Sequence, residues 1–134
     1  MRVQFWLYTS KSLLLGAEAD RLLPDLVDQW QESNRAASIT GALIFTGLMF
    51  AQYVEGPEAA VASLRDAISI DQRHMDVKTV DQGSSESRIF EQWTLAYSGR
   101  SAPFDGLVVK AHNGSRMIGR TLLLEMMRRF TADA

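Results

Sequence analysis

Gln52 is the residue most out of place in this chain. Over residues 48–55, a strand's period of two puts Leu48, Phe50, Gln52 and Val54 on one face, and Met49, Ala51, Tyr53 and Glu55 on the other. A primary amide among Leu, Phe and Val needs partners, because a buried amide left unpaired costs about 1–3 kcal/mol. Tyr8 lies near the end of the first apolar run, and a Tyr8–Gln52 hydrogen bond is the nearest solution. Such a pair is either a structural bond in a core or half of a ligand site, and the spacing alone leaves both open. Asn34, followed by Arg35, falls where the first helix should end, and reads as a helix cap or a solvated end. The run Asp71-Gln72-Arg73-His74 follows the second helix. It is either an exposed charged exit, with Asp71 and Arg73 as a surface pair of little worth, or a polar rim for a phosphate or ribityl group. Trp93, like Trp6 and Trp30, is by default a core aromatic.

Other chemistries are excluded by inventory. The chain has 134 residues and no cysteine, so it holds no disulfide, thiolate metal site or cysteine nucleophile. Its two histidines, His74 and His112, are far apart in sequence. There is no phosphate-binding glycine loop, serine elbow or paired-carboxylate constellation. Fourteen basic and sixteen acidic residues give a net charge of −2, which argues against nucleic-acid or anionic-membrane partners. A 46% hydrophobic and 22% charged composition fits one globular domain rather than a disordered chain. The short run Leu13-Leu14-Leu15 is broken by Glu18, Asp20 and Arg21. No stretch nears the ~20 apolar residues that span a bilayer, so a cytoplasmic protein is expected.

The elements that must position these residues follow from periodicity. Residues 3–9 read as a strand, about 21–34 as a helix with Pro24 early in it, and 39–46 and 48–55 as a hairpin turning at Gly47. Gly56-Pro57-Glu58 starts a second helix with an apolar stripe of Ala60, Val61, Leu64 and Ile68. Residues 77–80 and 93–97 read as short strands separated by the polar run 83–87. The order β-α-β-β-α-β plus one strand is the ferredoxin-like, split βαβ order, an α+β fold with both helices on one sheet face. The other face needs a cover. A helix at about 104–112 and a second, capped by Ser115 and carrying Met117, Ile118, Leu122, Leu123, Met126, Met127 and Phe130, can supply it. The expected organisation is a domain over 1–98 and a helical cap over 99–134 in the same compact unit.

Several segments together carry a resemblance. They are Tyr8-Thr9-Ser10; residues 33–43, from Ser33-Asn34-Arg35 to Ile39-Thr40-Gly41; residues 49–57, from Met49-Phe50-Ala51-Gln52 to Glu55-Gly56-Pro57; Asp71-Gln72-Arg73-His74; and Arg88-Ile89-Phe90-Glu91-Gln92-Trp93. In one collinear run over about 1–98 the chain resembles the BLUF family, the sensors of blue light using FAD. The resemblance implies a flavin held between the two helices. By matching position, Tyr8 would give an electron and a proton after excitation. Gln52 would bridge Tyr8 and the ring and then rearrange its amide. Asn34 would bond the ring's carbonyl side, while Asp71, Arg73 and His74 would lie near the ribityl and phosphate end. Trp93 would relay the signal, together with Leu95, which stands where the family usually has methionine. Two other positions depart from the family pattern: Ser33, with Gln31 and Glu32 before it where an arginine is common, and Ala67 in place of a basic residue. These leave FMN or riboflavin as possible ligands beside FAD. The resemblance implies a stand-alone photoreceptor that is not an enzyme, acts on an unidentified protein partner and forms a homo-oligomer. The first rival is a ferredoxin-like interaction or assembly module without flavin, and the last is a small flavin-dependent enzyme, for which no substrate base or cavity motif is evident.

Overall fold

The structure, a computed structural model, describes residues 2–95, 102–114 and 121–132; at 93–95, 102–104 and 130–132 it describes the backbone alone. The elements are β1 (Val3–Ser12), α1 (Gly16–Ala36), β2 (Thr40–Phe45), β3 (Met49–Gly56), α2 (Glu58–Ile70), β4 (His74–Ser85), β5 (Trp93–Leu95), α3 (Ala102–His112) and α4 (Leu124–Ala132). Their sheet order is β4-β1-β3-β2-β5. β1 is antiparallel to β3 and β4, and β2 is antiparallel to β3. β1 and β2 are therefore parallel, as are β3 and β4, and α1 and α2 make the two crossovers of the ferredoxin-like order. β5 extends the β2 edge in parallel, pairing Gly41 with Trp93 and Leu43 with Leu95.

Alternation divides the sheet into two apolar faces. Leu43, Phe45 and Phe50 pack with Ala19, Leu23 and Val27 of α1, and Trp6, Tyr8 and Val54 pack with Val61 of α2. On the opposite face Leu7, Ala42, Ile44, Ala51 and Tyr53 pack against Val108, Ala111, Leu123, Met126 and Met127. The tail thus covers the second face, as the periodicity predicts. Asp105 near the start of α3 accepts a 2.7 Å hydrogen bond from Thr46 Oγ1 in the β2–β3 turn.

Several boundaries differ from the sequence expectation, each for a physical reason. α1 begins at Gly16, so Pro24 lies inside it rather than early in it. Ala19, Leu23 and Val27 are spaced by four and buried, and this apolar stripe holds the additional turns despite the hydrogen bond a proline removes. Leu48 belongs to the turn, not to the buried face, and is 59% exposed. The turn is closed by Thr46 N–H to the Met49 carbonyl at 2.9 Å and Met49 N–H to Thr46 Oγ1 at 3.0 Å, with Gly47 at φ 99°. β4 runs through Ser85, well beyond 77–80, because an edge strand is held by its ladder to β1 and needs no continuous apolar face. Residues 96 and 97 of the expected last strand lie outside the described residues, as do Ser115, Met117 and Ile118.

The path into β5 is set by Glu55, which is wholly buried. Its carboxylate accepts the Ile89 N–H at 2.9 and 3.0 Å and the Phe90 N–H at 2.6 Å. The Arg88 guanidinium donates to the Glu55, Ser38 and Thr40 oxygens at 3.1, 2.8 and 2.8 Å. Burial pushes the Glu55 carboxyl above the usual carboxylate range, while the backbone bonds and Arg88 pull it back.

Gly41 lies on β2 where the β3 backbone leaves no room for a side chain. At φ 152°, a Cβ there would lie 1.9 Å from the Tyr53 carbonyl oxygen. Gly41→Ala is expected to destabilise the fold by roughly 2–4 kcal/mol, read as a lowered urea midpoint with an unchanged slope. A wild-type midpoint would contradict the assigned β2–β3 register.

Candidate functional site

Between α1 and α2, on the sheet face opposite the tail, lies a cavity of about 220 Å³. Tyr8, Leu43, Phe50 and Gln52 form its floor. Trp30, Ser33 and Asn34 of α1 form one wall, and Leu64, Ala67 and Ile68 of α2 the other. Asp71, Arg73 and His74 close one end. The floor follows from register, since β1 and β3 place Tyr8 and Gln52 directly opposite each other.

The two floor residues do not satisfy one another. Among the described residues no hydrogen bond joins the Tyr8 phenol to the Gln52 amide, contrary to the bond expected from the sequence. Gln52 Oε1 is buried with no hydrogen-bond partner. Cross-strand partners present their side chains side by side toward the same face, and both line the cavity without bonding to each other. A buried acceptor without a donor is costly in a folded protein, which points to a ligand that supplies the missing donor.

Asn34 reaches the cavity because α1 closes without using its side chain. Ile39 N–H bonds the Asn34 carbonyl at 2.8 Å and Ser38 N–H bonds the Arg35 carbonyl at 3.1 Å, with Ser38 in the left-handed region at φ 60°. This is a Schellman closure made by backbone alone, which leaves the buried Asn34 amide facing the cavity. The reading of Asn34 as a solvated helix end does not hold.

At the end formed by residues 71–74, Asp71 Oδ2 and Arg73 Nη1 lie 3.0 Å apart, and Asp71 Oδ1 accepts the Arg73 N–H at 2.9 Å. His74 is held from two sides. Its Nε2 lies 2.6 Å from the Ile68 carbonyl, which can only accept, so Nε2 carries hydrogen. In the neutral ring Nδ1 then accepts from Ser10 Oγ at 2.7 Å. His74 thereby fastens the end of α2 to β1. The sequence flagged His74 but gave no sign of the Ser10 contact. Leu43 of the floor and Leu64 and Ile68 of the α2 wall also escaped notice as site residues, although the i, i+4 spacing of Leu64 and Ile68 marks one face of α2. The backbone of Trp93 and Leu95 lies on the β2 edge beside Gly41 and Leu43.

Burial raises the Tyr8 pKa well above its ordinary value, and the negative charge of Asp71 adds to the effect. The phenol is therefore fully protonated at neutral pH, a hydrogen-bond donor that also holds a transferable proton.

An apolar slot with a protonated phenol and an unpaired amide on its floor suits a flat, heteroatom-rich ring, and the chain is one of the blue-light sensors built around a flavin. Residues 3–96 match the family model described as "BLUF: Sensors of blue-light using FAD", and the chain belongs to this family. What is matched is a sensor domain. A curated relative is the photoactivated adenylate cyclase subunit beta of Euglena gracilis, 41% identical over 63 residues, which make up 46% of this chain and 7% of that protein. This chain therefore matches only a small part of that relative's length. BlrB, a BLUF protein in its dark state, superposes with a TM-score of 0.69 at 22% identity, over 98% of this chain and 97% of that one, and supports the fold. Klebsiella pneumoniae BlrP1 with FMN and cyclic diGMP gives a TM-score of 0.63 at 28% identity, over 81% of this chain and 29% of that one. Among the described residues no helix is long and apolar enough to cross a membrane.

The raised Tyr8 pKa fixes a sign for alkaline stability. A phenol with a raised folded-state pKa contributes stability that is fully present below its unfolded value, about 10. That stability is lost as pH rises toward the folded value. Wild type is expected to lose stability above about pH 10 more steeply than Tyr8→Phe, measured by urea unfolding across the alkaline range. Parallel curves for the two proteins would contradict a buried, protonated Tyr8.

Proposed function

We propose that the chain binds flavin non-covalently in the cavity between α1 and α2. Light is read there through Tyr8 and Gln52, and the result passes to a protein partner. The observation that carries this reading is the unpaired Gln52 Oε1 in the floor opposite Tyr8. Bound flavin supplies the light absorption and the one-electron acceptor that the chain lacks.

Tyr8 is the donor of the electron and the proton. Desolvation keeps its proton in place in the dark, so release waits for excitation. Gln52 is the responsive group. A primary amide carries both donors and an acceptor, so turning or tautomerising it reverses the pattern it offers to Tyr8 and to the cavity. Asn34 adds an amide from the α1 wall and fixes the ligand's orientation. Trp93 and Leu95 would read the change at the β2 edge, where leucine keeps methionine's bulk without its sulfur.

Asp71, Arg73 and His74 flank the ligand's polar tail, but they offer little free positive charge. Arg73 is paired with Asp71, His74 is occupied by Ser10 and Ile68, and position 67 is alanine. FAD is the proposed resident ligand, and FMN or riboflavin fits the same ring site. That BlrP1 is described with FMN agrees with this reading. The domain is assigned to 1–98 and the helical cap to 99–134. The working form is proposed to be a cytoplasmic homo-oligomer.

Two outcomes test the reading. Tyr8→Phe and Gln52→Leu should each retain flavin while losing the reversible light-induced shift of its visible band, and a full shift in either variant contradicts that residue's role. Riboflavin, FMN and FAD should bind with affinities within about tenfold of one another, a spread of ~1.4 kcal/mol, by fluorescence titration. A hundredfold preference for FAD would mean that residues 71–74 grip the phosphates after all.

A further inference from the structure

Behind the cavity, on the tail face of the sheet, a polar chain that the flavin site does not use runs from buried Thr9 through His112 to Asp76 at the surface. Thr9 Oγ1 lies 2.8 Å from His112 Nδ1, and His112 Nε2 lies 3.0 Å from Asp76 Oδ2. Thr9 is wholly buried and His112 nearly so, in a layer otherwise made of Leu7, Ala51 and Val108. A carboxylate can only accept, so Nε2 carries hydrogen toward Asp76. In the neutral ring Nδ1 accepts from the Thr9 hydroxyl. The fit depends on a break in β4. Between Thr9 and Lys11 the β1–β4 register shifts by one residue, and Asp76 there sits at φ 57°. Such a bulge re-aims a side chain, and an aspartate in the left-handed region persists only where surrounding contacts enforce it. Lys11 and Lys78 flank the same carboxylate at 3.8 and 3.9 Å.

We propose that His112 is the positioning residue that couples β1 to α3, so that a shift of the cavity strand at Tyr8 is carried through Thr9 to the tail helix. The inference rests on the photoreceptor reading above. Tyr8, Thr9 and Ser10 are consecutive: Tyr8 faces the cavity, Thr9 bonds His112 behind the sheet and Ser10 bonds His74 in front of it. Apolar contacts between β1 and α3 can slide with little penalty. A buried hydrogen bond has a fixed length and no water to replace it, so it transmits displacement instead of absorbing it. The Thr46–Asp105 bond ties the other end of α3 to the β2–β3 turn instead of to Thr9 and serves as the internal control.

The test is hydrogen exchange of the α3 amides in the flavin-loaded full chain, dark and under blue light, with the flavin band recorded in the same samples. In wild type, light should change α3 exchange reversibly. In Thr9→Val and His112→Leu the flavin band should still shift. The light-minus-dark exchange difference should fall about fivefold, the ratio expected from losing one net hydrogen bond. Asp105→Ala should keep the difference at its wild-type size even where its dark exchange rises, which separates coupling from simple docking. Thr9→Val changes one buried atom and covers the case in which His112→Leu fails to fold. A wild-type exchange difference in Thr9→Val overturns the inference, as does a wild-type band shift with no change in α3. Absence of any band shift in wild type overturns the photoreceptor reading itself, and the coupling with it.

Discussion

The pairing of β1 with β3 is the constraint on which the rest depends. It places Tyr8 opposite Gln52 at the centre of the sheet, where neither side chain reaches water freely. From that register follows a floor with a proton held high above its ordinary pKa beside an acceptor with nothing to accept. A core built for stability alone would join these two groups or replace them by apolar ones. Leaving them apart on a cavity floor fits the proposed ligand between α1 and α2.

Much of the remaining architecture holds that floor rigid. α1 is closed by backbone bonds alone, so Asn34 is free for the cavity. His74 ties the end of α2 to Ser10 on the floor strand. Glu55 and Arg88 fix the turn that delivers β5 to the β2 edge. Side-chain hydrogen bonds from Thr9 and Ser10, the two residues after Tyr8, therefore lie on opposite faces of one strand. A small change at Tyr8 meets fixed-length contacts in both directions.

How much was legible in the sequence depended on how local the signal is. Gln52 stood out because a period of two makes one amide among Leu, Phe and Val an anomaly. The strand order was legible because each element carries its own apolar pattern. The extent of β4 was not, since an edge strand bonded to β1 shows no alternation to read. The true start of α1 was hidden by Pro24, whose effect on the helix is outweighed by buried Ala19 and Leu23. His112 carried no signal at all: its partners Thr9 and Asp76 lie 103 and 36 residues away, and no spacing rule joins them. The separation of Tyr8 from Gln52 could not be read either, because register shows which residues are opposite but not whether their ends meet.

The central claim is that Tyr8 and Gln52 form a switch around a bound flavin. The most direct test is the visible absorption spectrum of the flavin-loaded chain, recorded in the dark, after blue light and again after recovery in the dark. A flavin band that moves to the red and returns without loss is the result expected of a rearranged hydrogen-bond network around an intact ring. A bound flavin whose band stays fixed under blue light, or bleaches without return, would contradict the account.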